Sequence, residues 1–402
     1  MQESSLNPIL KRHQQVILSN YAPPPINLVR GRGSRVWDDA NKEYLDFTSG
    51  IAVNTLGHSH PAMIEALEKQ SRELIHVSNL FAHPGQGALG RKIVDSIAPG
   101  KVFFCNSGAE ANEALLKLSR LYGREQSGEE GKKTEVIVAQ NAFHGRTFGG
   151  MSATPQEKIQ GGFRPLLSGF KVAQLNDIAS VKSQVTEQTA AIFIETVQGE
   201  GGVFPAEPDF LQALRQLCDQ EKILLMLDEV QCGMGRSGWM WAFERAKIVP
   251  DAVGMAKGIG GGFPLGAIWI REPFTSLFKP GSHGTTYGGS PLASAVSLAV
   301  WDTIEKENLL ENVRQRAEEL SNGLGKIIEE FPEIVEGQRG LGLLRGLIFR
   351  DDVLPWVPRF REKGLLLPPA GNRAIRYIPA LNVTSAEIAE ALDITRCTFA
   401  AG

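Results

Sequence analysis

Ala252-Val253-Gly254-Met255-Ala256-Lys257-Gly258-Ile259-Gly260-Gly261-Gly262 is the stretch that decides the fold. It reads as a short buried strand that runs into one lysine and then breaks into glycines. The small neighbours let other groups approach that lysine closely, and glycines permit turns that other residues resist. A lysine amine at the end of a buried strand loses solvation, which lowers its pKa and makes it a nucleophile toward carbonyls. A lone Lys-Gly would read as a lysine on a flexible surface loop. What stands at the other strand ends decides against that.

Outward from this stretch, short apolar runs alternate with helical segments. The runs are 102–104, 136–139, 191–194, 223–227, 252–256 and 265–270. Residues 209–219 form a helix between two of them. Such alternation predicts an α/β fold with a mostly parallel central sheet and helices on both faces. Before it, 1–57 is an arm with short strands, stiffened by Pro23-Pro24-Pro25, with 44–47 alternating like a strand. From Pro61 the apolar spacing turns helical. Past Pro291 come two helices, 292–306 and 313–328, the second interrupted by Gly323 and Gly325. Short strands at 343–349 and 374–378 and a last helix from Ser385 complete a smaller α+β part. The expected division is an arm at 1–57, a large domain at 58–290 and a C-terminal domain at 291–402.

In open α/β sheets, ligands bind beyond the carboxyl ends of the strands. After 102–104 comes Cys105-Asn106-Ser107-Gly108-Ala109-Glu110, where small residues open a helix. Its free amides and positive dipole end suit a phosphate, and Ser107 with Glu110 also reads as a plain capping box. After 136–139 comes Phe143-His144-Gly145-Arg146, an aromatic that could stack on a planar ligand beside a guanidinium that could grip a carboxylate; taken alone, a packed Phe and a surface Arg is the plainer reading. After 191–194 stand Glu195 and then Gln198-Gly199-Glu200-Gly201-Gly202. After 223–227 stands Asp228-Glu229-Val230-Gln231. A carboxylate following a fully apolar strand needs a partner. No basic neighbour stands beside Asp228 in the chain, so a cationic ligand atom is its expected partner. Gly233-Met234-Gly235-Arg236-Ser237-Gly238 matches GxGxxG but lies four residues from the strand and lacks a ribose-binding acid; it reads as a turn beside the site rather than a dinucleotide fingerprint.

Composition bounds the rest. The 402 residues carry a net charge of -3, which gives no basic field for nucleic acid or an anionic membrane. No apolar run is long enough to span a membrane. The four cysteines, Cys105, Cys218, Cys232 and Cys397, form no ligand cluster and read as reduced thiols of a cytoplasmic protein. None of the seven histidines has metal-ligand spacing, and His58 and His60 read as structural. The stretch 1–17 has neither a signal-peptide core nor a transit-peptide composition.

A phosphate seat, a stacking aromatic, a strand-end aspartate and a strand-end lysine, in this order, resemble the fold-type I pyridoxal-phosphate enzymes. Asn106-Ser107-Gly108-Ala109-Glu110-Ala111-Asn112-Glu113, Phe143-His144-Gly145-Arg146-Thr147, Gln198-Gly199-Glu200-Gly201-Gly202, Leu227-Asp228-Glu229-Val230-Gln231, Lys257-Gly258 and His283-Gly284-Thr285-Thr286-Tyr287-Gly288-Gly289 together resemble the class III aminotransferases, over nearly the whole chain. The resemblance implies pyridoxal 5'-phosphate as cofactor. It implies that Lys257 bonds to the cofactor and moves the substrate proton, and that Asp228 pairs with the ring nitrogen. By the same resemblance Gln231 contacts the phenolic oxygen, Phe143 stacks on the ring, and Ser107, Gly108, Ala109 and Glu195 complete the cofactor site. Thr286 reaches the phosphate from a neighbouring subunit, which implies a homodimer with shared active sites. Arg146 takes a substrate carboxylate, with Thr285 and Tyr21 nearby; Arg376 is the second carboxylate anchor, and Glu200 neutralises it when the substrate has no matching carboxylate.

Within the class, the compact length and Gly50-Ile51-Ala52-Val53-Asn54 are most similar to the acetylornithine-type members. The implied reaction is transfer of the terminal amino group of N2-acetylornithine to 2-oxoglutarate in arginine biosynthesis. Thr285, Ala380 and Ser119 depart from the usual serine, proline and alanine, changes too small to alter the chemistry. Succinylornithine, ornithine or 4-aminobutyrate as donor, an aminomutase, and a catalytically silent binding protein remain the alternative readings.

Overall fold

The computed structural model describes residues 7–401, so the start of the 1–17 stretch lies outside the described residues. Seven segments form the central sheet: β1 Gly100–Cys105, β2 Glu135–Ala139, β3 Phe170–Ala173, β4 Thr189–Glu195, β5 Leu224–Asp228, β6 Ala252–Met255 and β7 Gly266–Arg271. Their order is β1-β7-β6-β5-β4-β2-β3. The four pairings from β6 to β3 are parallel, while β7 runs antiparallel to both β6 and β1. The sheet is therefore mostly parallel, as expected, with a mixed edge. β3 escaped the sequence reading because it is a four-residue edge strand with Lys171 in the middle.

The middle strands are buried on both faces, so their sequences are nearly continuous apolar runs. Successive side chains still point to opposite sides. Leu224 and Met226 join Ala111, Leu115 and Leu118 of the helix Gly108–Ser127 in one core. Leu225 and Leu227 join Phe210 and Leu214 of the helix Pro208–Glu221 in the other. Two layers of helix thus seal the sheet and leave only the strand ends open to ligand.

Outside the central sheet, the strands Leu28–Arg32, Arg35–Asp38 and Glu43–Asp46 form a small sheet that the C-terminal strand Leu365–Leu366 completes. A second four-stranded sheet holds Val335–Leu341, Leu344–Phe349, Ala374–Tyr377 and Pro369–Ala370. The helices Leu309–Glu330 and Ser385–Ala400 pack together beside it. The glycines suspected of breaking the first helix do not end it. A side chain at Gly323 would collide with Leu392, so this glycine lets the two helices close. His58 is structural, as read: its Nε2 lies 2.7 Å from Asp46 Oδ2, and its backbone bridges to Gly33.

Candidate active site

The ends of β1, β2, β4, β5 and β6 converge on one cavity of about 420 Å³. Ser107, Gly108, Ala109, Phe143, Arg146, Glu195, Glu200, Asp228, Gln231 and Lys257 all line it. Parallel register alone brings the acids together, because Asp228 pairs with Glu195 across β5 and β4.

Lys257 opens a single 3-10 turn directly after β6, with φ of 46°. A left-handed lysine costs about 1–3 kcal/mol and persists only where its surroundings overdetermine it. Burial pulls its pKa below the ordinary lysine value, and the nearby Glu200 carboxylate opposes that fall. Burial dominates, so the amine is primed toward its neutral, nucleophilic form.

Asp228 is buried and has protein partners that the sequence reading missed. Its Oδ2 accepts from His144 Nδ1 at 2.8 Å and from Asn112 Nδ2 at 2.7 Å, and its Oδ1 accepts from the Val230 amide at 3.0 Å. No basic residue neighbours Asp228 in the chain, but the fold brings one to it from 84 residues earlier, His144, so a ligand cation is not its sole partner. His144 is 1% exposed and stacks on Phe193 with ring centroids 3.9 Å apart. A carboxylate only accepts, which places an imidazole proton on Nδ1. Asn112 also donates to the His144 carbonyl at 2.8 Å, tying the three residues into one frame. The available signals were the position of His144 next to Phe143 and of Asn112 one turn into the helix after Ser107.

Glu195 accepts from the Phe143 amide at 3.0 Å and so fixes the backbone of that aromatic. Burial, reinforced by the Asp228 carboxylate, pushes the Glu195 carboxyl well above the usual range. At the mouth of the cavity, the helix Gly108–Ser127 begins with Ser107 as its cap. Ser107 Oγ accepts from the Glu110 amide at 3.2 Å, while Glu110 reaches back to the Asn106 amide at 2.5 Å. The expected capping box is only half formed, because Glu110 takes the Asn106 amide and not that of the cap Ser107; the Ser107 cap and an anion seat coexist, since first-turn amides remain free at Gly108 and Ala109, which line the cavity. At Gly108 a Cβ would stand 2.7 Å from Val230 Cγ1, so only glycine fits there.

Opposite, Arg376 on the strand Ala374–Tyr377 is buried and does not line the cavity itself. Its guanidinium donates to Glu200 Oε1 at 2.5 Å, to Glu200 Oε2 at 3.1 Å and to Gln231 Oε1 at 3.1 Å. Gln231 Nε2 donates in turn to Glu200 Oε1 at 3.2 Å. Burial raises the Glu200 carboxyl, but the charge and hydrogen bonds of Arg376, with the Lys257 charge and the Gln231 hydrogen bond, together outweigh it and the net shift is downward. Arg146 stands exposed at the cavity with its guanidinium carbon 5.8 Å from the Phe143 ring centroid. Among the described residues no carboxylate pairs with it.

Three expected site residues lie elsewhere within this one chain. Tyr21 is 82% exposed and away from the cavity. Thr286 is exposed and does not line it either. Thr285 Oγ1 accepts from Asn106 Nδ2 at 3.1 Å, one residue removed from the cavity wall.

Lys257, Asp228 and the open first turn after Ser107 thus meet in one cavity, with Arg146 at it and Arg376 bound to Glu200 and Gln231 beside it. The profile of the aminotransferase class-III family matches residues 17–398, and the chain belongs to that family. It is a pyridoxal-phosphate-dependent aminotransferase. Among its relatives are the acetylornithine aminotransferase of Caldanaerobacter subterraneus subsp. tengcongensis, 45% identical over 95% of this chain and 96% of that one, and the acetylornithine aminotransferase of a Nostoc species, 46% identical over 94% and 90%. Of solved structures, the ornithine aminotransferase of Toxoplasma gondii superposes with a TM-score of 0.94 at 30% identity, covering 98% of this chain and 94% of that one. The N-acetylornithine aminotransferase of Stenotrophomonas maltophilia gives 0.82 at 35%, covering 95% and 98%. The mixed α/β architecture is that of fold-type I. No helix among the described residues is long and apolar enough to cross a membrane.

Proposed function

We propose that this aminotransferase moves the terminal amino group of N2-acetylornithine to 2-oxoglutarate in the cytoplasm, giving N-acetylglutamate 5-semialdehyde and glutamate. The observation that carries the reading is the asymmetry of the two arginines. Arg146 faces the cavity without an anion, while Arg376 is closed by Glu200. A donor with one carboxylate satisfies Arg146 and leaves the Glu200–Arg376 pair shut. A five-carbon dicarboxylate acceptor needs both cations, which requires Glu200 to release Arg376. The identities of 42–46% to acetylornithine aminotransferases support this donor over other ω-amines.

When bound, the cofactor supplies an electron sink for the carbon that loses its proton. Lys257 Nζ removes that proton from the amine-bearing carbon and returns one at the other end of the exchange, acting as general base and then general acid. Asp228, held by His144 and Asn112, would pair with the ring nitrogen and keep a proton there. Phe143, its backbone fixed by Glu195, would stack on the ring, and Gln231 would meet the phenolic oxygen. Ser107, Gly108 and Ala109 would hold the phosphate. Thr285 and Tyr21, which lie outside the cavity of the single chain, would border the substrate only in the assembled site.

Thr286 serves a neighbouring subunit in this reading, so the working form is a homodimer. The surface around Thr286 supports it. Leu80, Phe81 and Tyr287 are exposed, and Asn79 binds the 285–288 loop through the carbonyls of Thr285 and Gly288. Apolar residues massed beside a loop with no cavity of its own to serve are what a buried interface needs. The parts 1–57 and 291–402 form a smaller unit beside a cofactor-bearing 58–290, a division that the shared sheet of Glu43–Asp46 and Leu365–Leu366 favours.

The test is single-turnover bleaching of the cofactor band against N2-acetylornithine, N2-succinylornithine, ornithine and 4-aminobutyrate. The first is expected to have the highest kcat/KM. A higher value for ornithine or 4-aminobutyrate overturns the donor assignment. Repeated turnover without 2-oxoglutarate, giving more than one equivalent of product per active site, would point to an aminomutase instead.

A further inference from the structure

No residue of the GxGxxG turn enters the chemistry above, yet its one charged member, Arg236, is only 3% exposed. Burial pushes its pKa down to about 9, and among the described residues no carboxylate pairs with it. A guanidinium taken out of water without a counter-charge is costly, and it is kept only where its donors are all occupied to some purpose. Its Nη1 donates to two carbonyls, that of Leu343 at 3.2 Å and that of Pro379. Its own carbonyl accepts from the Leu343 amide at 3.0 Å.

The placement of those acceptors matters. Leu343 immediately precedes the strand Leu344–Phe349, in which Gly346 pairs with Arg376. Pro379 follows Arg376 by three residues. One guanidinium therefore holds both chain segments that carry and flank the second carboxylate anchor. On its own side, Arg236 is strapped to the end of β5. The Gly233 amide donates to the Glu229 carbonyl at 2.9 Å, and the Glu229 carboxylate accepts from the Ala242 and Phe243 amides at 2.9 and 3.1 Å. Glu229 adjoins Asp228. The contacts run without a gap from Asp228 through Glu229 and Arg236 to the strand bearing Arg376.

We infer that Arg236 is a positioning residue for the dicarboxylate: by tying Leu343 and Pro379 to the turn after Asp228, it sets where Arg376 stands opposite Gln231 and Arg146. The inference rests on the proposed role of Arg376. Arg236 touches neither substrate nor cofactor. Its removal loosens the spacing of the two cationic anchors and leaves the lysine chemistry in place. A donor held by Arg146 alone does not sense that spacing, whereas a five-carbon dicarboxylate does.

The experiment uses the holoenzyme and glutarate, an unreactive five-carbon dicarboxylate, titrated by calorimetry. Arg236→Met fills the volume without donors, Arg236→Lys restores a donor, and Arg376→Lys is the control for the site itself. The expected result is a glutarate Kd raised about tenfold or more in Arg236→Met, the scale of losing one or two positioned hydrogen bonds. Arg236→Lys should fall between it and the parent. The single-turnover rate with the amino donor should stay within about twofold of the parent, since no donor contact changes. An unchanged glutarate Kd in Arg236→Met, with a weakened one in Arg376→Lys, overturns the inference alone. Unchanged affinity in Arg376→Lys overturns the role of Arg376 and the inference with it. A loss of donor rate, glutarate affinity and Tm together in both Arg236 variants shows a merely structural arginine. If Arg236→Met does not fold, Arg236→Lys decides on the same readouts.

Discussion

His144 Nδ1 and Asp228 Oδ2 are 2.8 Å apart in a site where both side chains are buried. The imidazole is buried and stacks on Phe193, and with the Asn112 amide it holds the carboxylate from two directions. His144→Ala should weaken cofactor binding by about 10–100-fold, the value of one hydrogen bond to a charged group. Asp228→Asn should cost more, roughly 3–5 kcal/mol if a buried charge pair with the cofactor ring is broken. Cofactor dissociation constants by fluorescence quenching check both. Equal affinities in all three proteins would remove Asp228 from the ring.

Lys257→Ala should keep the fold and bind cofactor reversibly, while turnover falls by at least about 10²–10⁴-fold, the range of a lost general acid and base. A steady-state rate near that of the parent would sink the assignment. The amine also has a pH signature. Its pKa is lowered, so the neutral form appears at lower pH than for an ordinary lysine near 10.5. In the apoprotein, acylation of Lys257 followed by mass spectrometry should therefore reach half its limiting rate below that value.

Glu200→Gln should leave Arg376 charged and open throughout the cycle. The donor half-reaction with a monocarboxylate should slow by on the order of tenfold, because an unneutralised cation then faces an apolar part of the donor. The half-reaction with glutamate, which brings its own second carboxylate, should change little. Stopped-flow rates of the two half-reactions separate these outcomes. The pair also has a stability consequence with a definite sign. The Glu200 pKa is lowered on folding, so its contribution is present above the usual glutamate range and is lost as pH falls through the folded pKa.

Gly108→Ala places a methyl group against Val230, whose branched side chain is short and stiff. The helix itself tolerates alanine at its first position. Cofactor affinity should therefore fall by about tenfold or more while Tm moves by only a few degrees. A matched loss of both in thermal melts of apoprotein and holoprotein would mean that the glycine serves the fold rather than the anion seat.

Much of the large sheet and ten of the site residues were legible because they sit at ends of apolar runs, where register does the assembling. Helix starts were legible where the signal is local, as at Ser107 with Glu110 and at the last helix, read from Ser385. The antiparallel direction of β7 was not, since an apolar run carries no sign of its direction. The role of His144 was hidden because its partner is 84 residues away. Tyr21 and Thr286 are not brought to the cavity by one chain at all.

The sequence by itself determined the class of fold and the residues that gather in the cavity: strand periodicity is a local property, and the cavity-lining residues named above stand at or shortly after strand ends. The tertiary structure decided how those parts are tuned. The closure of Arg376 by Glu200, the support of Asp228 by His144 and Asn112, and the tie from Arg236 to Leu343 and Pro379 all join distant segments. Their strengths depend on burial and on distances of about 3 Å, quantities that exist only once the chain has folded.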